Sequence, residues 1–234
     1  MNKPILEVKN LTKIYQDNNR GVTNINMCVE KGQFHALIGQ NGSGKTTLIK
    51  SIIGAYTNFQ GEVLINGISN RNPASRNQIA FVPEKTLFPA ELTTYEYLKW
   101  MGIISNVDKT TLEDKIIDLL QKFNIFDLKN EKPISFSSGQ KKKVLLIQAL
   151  LNNPQLIILD EPAANLDPSA RYELFNLLNE LHADGVTILI ISHILSEINN
   201  YVTHFTLIND GNIIYSGIKN VNLESFYNEK VIKA

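Results

Sequence analysis

The stretch Gly39-Gln40-Asn41-Gly42-Ser43-Gly44-Lys45-Thr46 decides how the rest of the chain reads. It follows an apolar, strand-like run, Phe34–Ile38, and precedes a helical stretch at Leu48–Ile53. Strand, glycine-rich turn and helix in that order make a phosphate-binding P-loop. Gly42 and Gly44 let backbone N–H groups turn inward around phosphate oxygens, and the helix N-terminus adds partial positive charge. Lys45 is expected to reach the β- and γ-phosphates, and Thr46 to place its hydroxyl on Mg²⁺. A flexible surface loop does not account for the motif and its flanks coinciding.

A second segment supports the first. Leu156-Ile157-Ile158-Leu159 is a short apolar run ending in Asp160-Glu161. Adjacent carboxylates at the end of a buried strand are costly unless a cation or a reaction uses them. Asp160 fits the Mg²⁺-binding acid of a P-loop ATPase, and Glu161 is placed to polarise the attacking water. The third segment, Phe136-Ser137-Ser138-Gly139-Gln140-Lys141, stands before the helical run Lys142–Leu151. Ser137 and Gln140 have capping-box spacing. Lys141, Lys142 and Lys143 then sit near the positive end of the helix dipole, where a nearby anion would relieve the conflict.

Around these segments, strand-like runs occur at Leu6–Val8, Val22–Val29, Glu62–Ile65, Ile79–Val82, Val186–Ile191, Thr203–Ile208 and Asn212–Tyr215. Several are continuous Ile/Leu/Val runs, the pattern of strands buried on both faces. Asn209-Asp210-Gly211 reads as a hairpin turn. One helix is expected through Leu112, Ile116, Leu119, Leu120 and Phe123, and another through Ala170, Leu174, Leu177, Leu178 and Leu181, capped by Asp167-Pro168. Thr93-Thr94-Tyr95-Glu96 opens a further helix toward Ile103. Strands cluster at both ends and residues 85–152 read as helical, which predicts an α/β core with a helical insertion.

Composition narrows the function. The 234 residues are 43% hydrophobic and carry 23 basic against 23 acidic side chains. Zero net charge argues against a nucleic-acid binder working by bulk electrostatics. Cys28, the single cysteine, excludes an internal disulfide and a multi-cysteine zinc site. The N-terminus has no signal-peptide pattern, and the apolar runs are far short of the roughly 20 residues of a membrane span. A cytoplasmic chain is expected, reaching a membrane only through a partner.

Taken together, P-loop, Ser-Ser-Gly-Gln and Leu159-Asp160-Glu161-Pro162 resemble, in order and spacing, an ABC transporter ATP-binding subunit over nearly the whole chain. The resemblance implies the ABC ATPase fold: a P-loop core, an antiparallel β subdomain and a helical insertion. It implies a single ATP-binding domain over 1–234, with a core of about 1–84 and 153–234 and a helical subdomain of about 85–152. It makes Ser137, Ser138, Gly139 and Gln140 the signature motif, Asn165-Leu166-Asp167 the D-loop and His193 the switch histidine. Tyr15 becomes the aromatic that stacks on adenine, and Gly39, Gln40, Asn41, Ser43 and Thr47 join the nucleotide-binding set. Alone, His193 would read as a capping or core histidine and Tyr15 as a strand aromatic.

There are departures from the family pattern. Phe136 and Ser138 replace a leucine and a glycine of the usual signature, Ala163 stands where threonine is common, and Glu84 occupies the usual glutamine of the Q-loop. Glu84 resembles the branch serving export-type systems for peptide, drug or lipid-like substrates, and is carried over as a metal ligand with Thr46 and Asp160. The resemblance further implies ATP and Mg²⁺, a head-to-tail dimer with the same or a different ATP-binding subunit, and an integral membrane permease on the inner face of the membrane. It implies no nucleic-acid partner. An importer subunit, a non-transport ABC ATPase and a silent regulatory module are the alternatives; Glu161 and His193 argue against silence.

Overall fold

The computed structural model describes residues 4–15, 20–85 and 87–233; Met1–Lys3 of the N-terminal reading lie outside it. In chain order the first half holds β1 (Pro4–Ile14), β2 (Gly21–Glu30), β3 (Phe34–Ile38), α1 (Lys45–Ile52), β4 (Gln60–Ile65), β5 (Ile68–Ser69) and β6 (Ile79–Val82). Then come α2 (Thr94–Ile104), α3 (Lys109–Lys122), α4 (Ser138–Leu150), β7 (Leu156–Asp160) and α5 (Pro168–Ala183). The chain continues with β8 (Thr187–Ile191), α6 (Leu195–Ile198), β9 (His204–Asn209), β10 (Asn212–Ile218) and α7 (Leu223–Tyr227).

One sheet has the order β10-β9-β3-β8-β7-β6, parallel except for β10. All five residues of β3 and of β8 are buried, the polar His35 and Thr187 with the apolar side chains, as a sheet covered on both faces requires. The second sheet, β2-β1-β4-β5, is antiparallel. Leu48, Ile49 and Ile52 of α1 share a core with strands of both sheets. The opposite face of the parallel sheet packs on α2–α5, where Leu98, Leu120, Leu146 and Leu178 are fully buried. The helices α2, α3 and α4 all fall between β6 and β7, forming the helical insertion.

Local signals act as the sequence suggests. Both capping boxes form, Thr93 with Glu96 at α2 and Ser137 with Gln140 at α4. Asp167 caps α5 through the N–H of Ala170. Asp210 and Gly211 have φ of +45° and +75°, the two left-handed residues of a type I′ hairpin between β9 and β10. Several boundaries differ from the sequence reading: α4 starts at Ser138 rather than Lys142, and β10 runs on past Tyr215 to Ile218. The first helix starts at Lys45 rather than Leu48, because Leu48 N–H already bonds the Gly44 carbonyl at 2.9 Å. The first strand runs on past Val8 to Ile14: Asn10 adopts φ +51° and the register shifts, which breaks the alternation without ending the pairing. That extension carries the chain to Tyr15.

His35 of β3 is 1% exposed, and its Nε2 lies 2.8 Å from Thr206 Oγ1. Burial, and then the neighbouring His204 ring, push its pKa down to about 3. The unfolded chain therefore binds this proton from about pH 6.5 downward while the folded chain refuses it. Stability should be complete above pH 6.5 and fall by up to about 1.4 kcal/mol per pH unit as acid rises toward pH 3. Urea midpoints at pH 7 and pH 5.5 check this, and His35→Gln should flatten the difference. Equal midpoints for the wild type would refute it.

Candidate functional site

Four loops leave the carboxyl ends of adjacent parallel strands: the P-loop after β3, Pro83-Glu84 after β6, Glu161 after β7 and Ser192-His193 after β8. Crevices at this edge are where open parallel sheets bind ligands. Here a cleft of about 330 Å³ is lined by Tyr15, Lys45, Thr46, Thr47, Glu84, Asp160 and Glu161, with Arg20, Asn41, Gly42 and Gly44 at its sides. The parallel strands deliver the P-loop, Glu84 and Asp160-Glu161 side by side, and Tyr15 and Arg20 join them from the ends of β1 and β2.

Glycine is required twice in the P-loop. Gly44 has φ +108°, and a Cβ there would come within 2.5 Å of Val22 Cγ1. Gly39 has no room either, since its Cβ would meet the Ile208 carbonyl oxygen at 2.3 Å. Lys45 is 8% exposed and curls over its own loop, donating to the carbonyls of Gly39 at 2.7 Å and Gln40 at 2.8 Å. Burial lowers its pKa, opposed by the charges of Glu161 and Asp160. The Ser43 hydroxyl is buried without a hydrogen-bond partner among the described residues.

The carboxylates are in tension. Burial raises the pKa of Asp160, and the charges of Glu161 and Glu84 raise it further, while Lys45 and Lys142 pull it back. Glu161 holds φ +44°, a left-handed conformation that costs a non-glycine residue about 1–3 kcal/mol and clusters at functional sites. Its N–H bonds the Ile191 carbonyl at 3.0 Å, and its carboxylate lies 2.8 Å from His193 Nδ1. His193 itself and Gln40 line a neighbouring, larger cavity of about 650 Å³ that shares Asn41 with the cleft, and His193 reaches the cleft through Glu161.

The residues fit a divalent cation carried with a triphosphate. The carboxylates of Glu84, Asp160 and Glu161 share a cleft with the Thr46 hydroxyl, and all are hard oxygen donors. Among the described residues no group of three or more His, Cys, Asp or Glu side chains is arranged to hold a metal ion by itself. Phosphate oxygens and water would supply the remaining ligands.

Tyr15 packs edge-on to Tyr56, with ring centroids 6.1 Å apart, and its hydroxyl lies 3.3 Å from Thr47 Oγ1. If the ring face holds the base, Tyr15→Ala should weaken ATP binding by about 1–3 kcal/mol, the range for base–aromatic stacking, while Tyr15→Phe stays near wild type. Calorimetric titration with ATP measures both. Equal affinity in the alanine variant would return Tyr15 to a structural role.

The signature residues stand apart. Ser137 N–H donates to Gln140 Oε1 at 3.0 Å and Gln140 N–H to Ser137 Oγ at 3.3 Å, and neither lines the P-loop cleft. Ser138 instead borders a small cavity of about 170 Å³ shared with Glu84, Lys142 and Asn165. Lysine placement differs from the sequence reading. The cations at the start of α4 find partners inside the chain: Lys142 on the carbonyls of Pro83 and Glu84, and Lys143 on Glu173 at 3.0 Å. Sequence reasoning missed Lys142 and the cleft-lining Arg20. For Lys142 a signal was present, since it shares a helical face with buried Leu145, Leu146 and Ala149.

Residues 22–164 match the family model described as ABC transporter. The chain belongs to this family and is an ATP-binding subunit of an ABC transporter. It is 45% identical to an ABC transporter ATP-binding protein of Mycoplasma pneumoniae over 95% of this chain and 70% of that protein. It is 32% identical to the lantibiotic transport ATP-binding protein SrtF of Streptococcus pyogenes, covering 97% of this chain and 98% of that one. The energy-coupling factor transporter ATP-binding protein EcfA of Pediococcus pentosaceus is 33% identical over 91% of this chain and 78% of its own. Among solved structures, the ATP-binding subunit of an ABC transporter superposes with a TM-score of 0.86 at 32% identity, covering 96% of this chain and 98% of that one. Among the described residues no helix is long and apolar enough to cross a membrane.

Proposed function

We propose that this chain hydrolyses ATP and, paired head to tail with a second copy of itself, drives an integral membrane permease from the cytoplasmic face. The observation that carries the reading is Glu161, strained to φ +44° at the cleft that Lys45 lines, its carboxylate held by His193 at 2.8 Å. Lys45 and the P-loop N–H groups grip the β- and γ-phosphates, Tyr15 carries the adenine, and Glu161 orients the attacking water with His193 fixing its carboxylate. Thr46 and Asp160, with Glu84, would hold Mg²⁺, which neutralises phosphate charge.

The pairing follows from where the signature lies. Ser137–Gln140 sit outside the cleft of their own chain, yet a helix N-terminus is an anion site. Each chain carries both halves, so two copies suffice to close two sites, each adding donors and excluding water at the other's γ-phosphate. Exposed Leu87, Trp100 and Ile104 give the helical insertion an apolar surface for the permease. We take the direction as export, of a peptide, drug or lipid-like substrate, on Glu84 and on the end-to-end match with the lantibiotic transport protein.

Hydrolysis by the purified chain, set against Lys45→Ala, tests the reading. A rate far above that of the variant supports it, and equal rates overturn it. Inverted vesicles holding chain and permease test the direction: an exporter accumulates its substrate in them when ATP is added outside.

A further inference from the structure

Lys142 is a lysine that the fold has taken out of water. It is 5% exposed, in the second turn of α4. Its Nζ donates to the carbonyls of Pro83 at 3.0 Å and Glu84 at 3.2 Å, and among the described residues it forms no ion pair within 4 Å. A buried ammonium without a contacting carboxylate is expensive, and packing alone would be served as well by methionine. What the charge gains is a bond to one particular loop. That loop carries Glu84, which lines the nucleotide cleft.

The surroundings make the contact more than a local brace. Lys142 borders the 170 Å³ cavity where the Glu84 loop, the start of α4 and residues Ala164–Leu166 meet. Glu84 faces this cavity on one side and the cleft on the other. The carboxylates of Glu84 and Asp160 both act on Lys142 electrostatically, and burial lowers its pKa to about 8.

We propose that Lys142 is a positioning residue that locks the Glu84 loop to α4, so that the seat of Glu84 at its own cleft and the signature N-terminus move as one body. The inference rests on the proposed roles of Glu84 and of the signature in a pair of chains. In that pair it gives a physical link between the two ATP sites. What Glu84 senses in one cleft is passed through Lys142 to the helix end that closes the other.

The test is a double-mutant cycle on the full chain, reading the Mg²⁺ concentration for half-maximal ATP hydrolysis. Lys142→Met should raise it about fivefold or more, as residues in one network couple, and Glu84→Ala should raise it similarly. The two together should do no more than Glu84→Ala alone, and Lys142→Arg, which keeps the donors, should stay near wild type. A purely structural lysine would lower the melting temperature without moving the Mg²⁺ curve. Should Lys142→Met not fold, Lys142→Gln carries the same comparison. A curve for the Lys142 variant that overlies wild type, or shifts that multiply in the double variant, overturns the proposal. If Glu84→Ala moves the curve and the Lys142 variant does not, only the Lys142 link fails. If Glu84→Ala leaves it unmoved, the underlying reading of Glu84 fails with it.

Discussion

Glu161→Gln should bind MgATP as wild type does and hydrolyse it about 10²–10⁴ times more slowly, the span of a lost positioned acid or base. The substitution is nearly isosteric, and the residue already holds φ +44°, so the strained turn persists. The amide oxygen can still accept from His193, which now lies 2.8 Å from the carboxylate. What disappears is the negative charge that draws a proton from water. If, as proposed, ATP glues the paired state and hydrolysis releases it, the variant should accumulate as a dimer with MgATP. Single-turnover kinetics and light scattering measure the two effects. Ordinary turnover in this variant would remove Glu161 from the mechanism.

A second large effect needs two chains in one tube. Lys45→Ala damages the P-loop and Ser137→Arg places a cation-bearing bulk on the signature, so each alone should be inactive. In a mixed pair both lesions fall on one composite site and the other site is intact. With random pairing of a two-fold symmetric dimer and independent sites, the mixture should recover roughly a quarter of the wild-type rate. Subunit exchange is verified by co-purification of differently tagged chains. A mixture that exchanges and stays inactive would contradict independent composite sites.

Much of this arrangement is legible before folding. The strands Phe34–Ile38 and Ile79–Val82 coincide with the runs read from Ile, Leu and Val, and both capping boxes form where their spacing puts them. These are local signals, set by period and by side chains reaching three residues along the chain. The two-residue strand Ile68–Ser69 was not legible, because two residues have no period. Asn10 hid the length of the first strand, since a bulge reverses the alternation a reader follows. Nor could the left-handed Glu161 be foreseen, for that strain is imposed by its pairing with Ile191, thirty positions away. The period of α4 puts Lys142 on the face of Leu145, Leu146 and Ala149, but its distant partners Pro83 and Glu84 are supplied only by the fold. The site residues on strand ends could be named in advance; the contacts that hold them in tension required the tertiary fold.

If ATP turnover needs a site built from two chains, the hydrolysis rate per chain must depend on chain concentration. Lys45 lines the cleft and Ser137, the N-cap of α4, does not, so an isolated chain should be nearly silent. The rate per chain should rise with concentration and level off where light scattering with MgATP reports dimers. A per-chain rate that stays constant down to concentrations where only monomers are present would contradict the account.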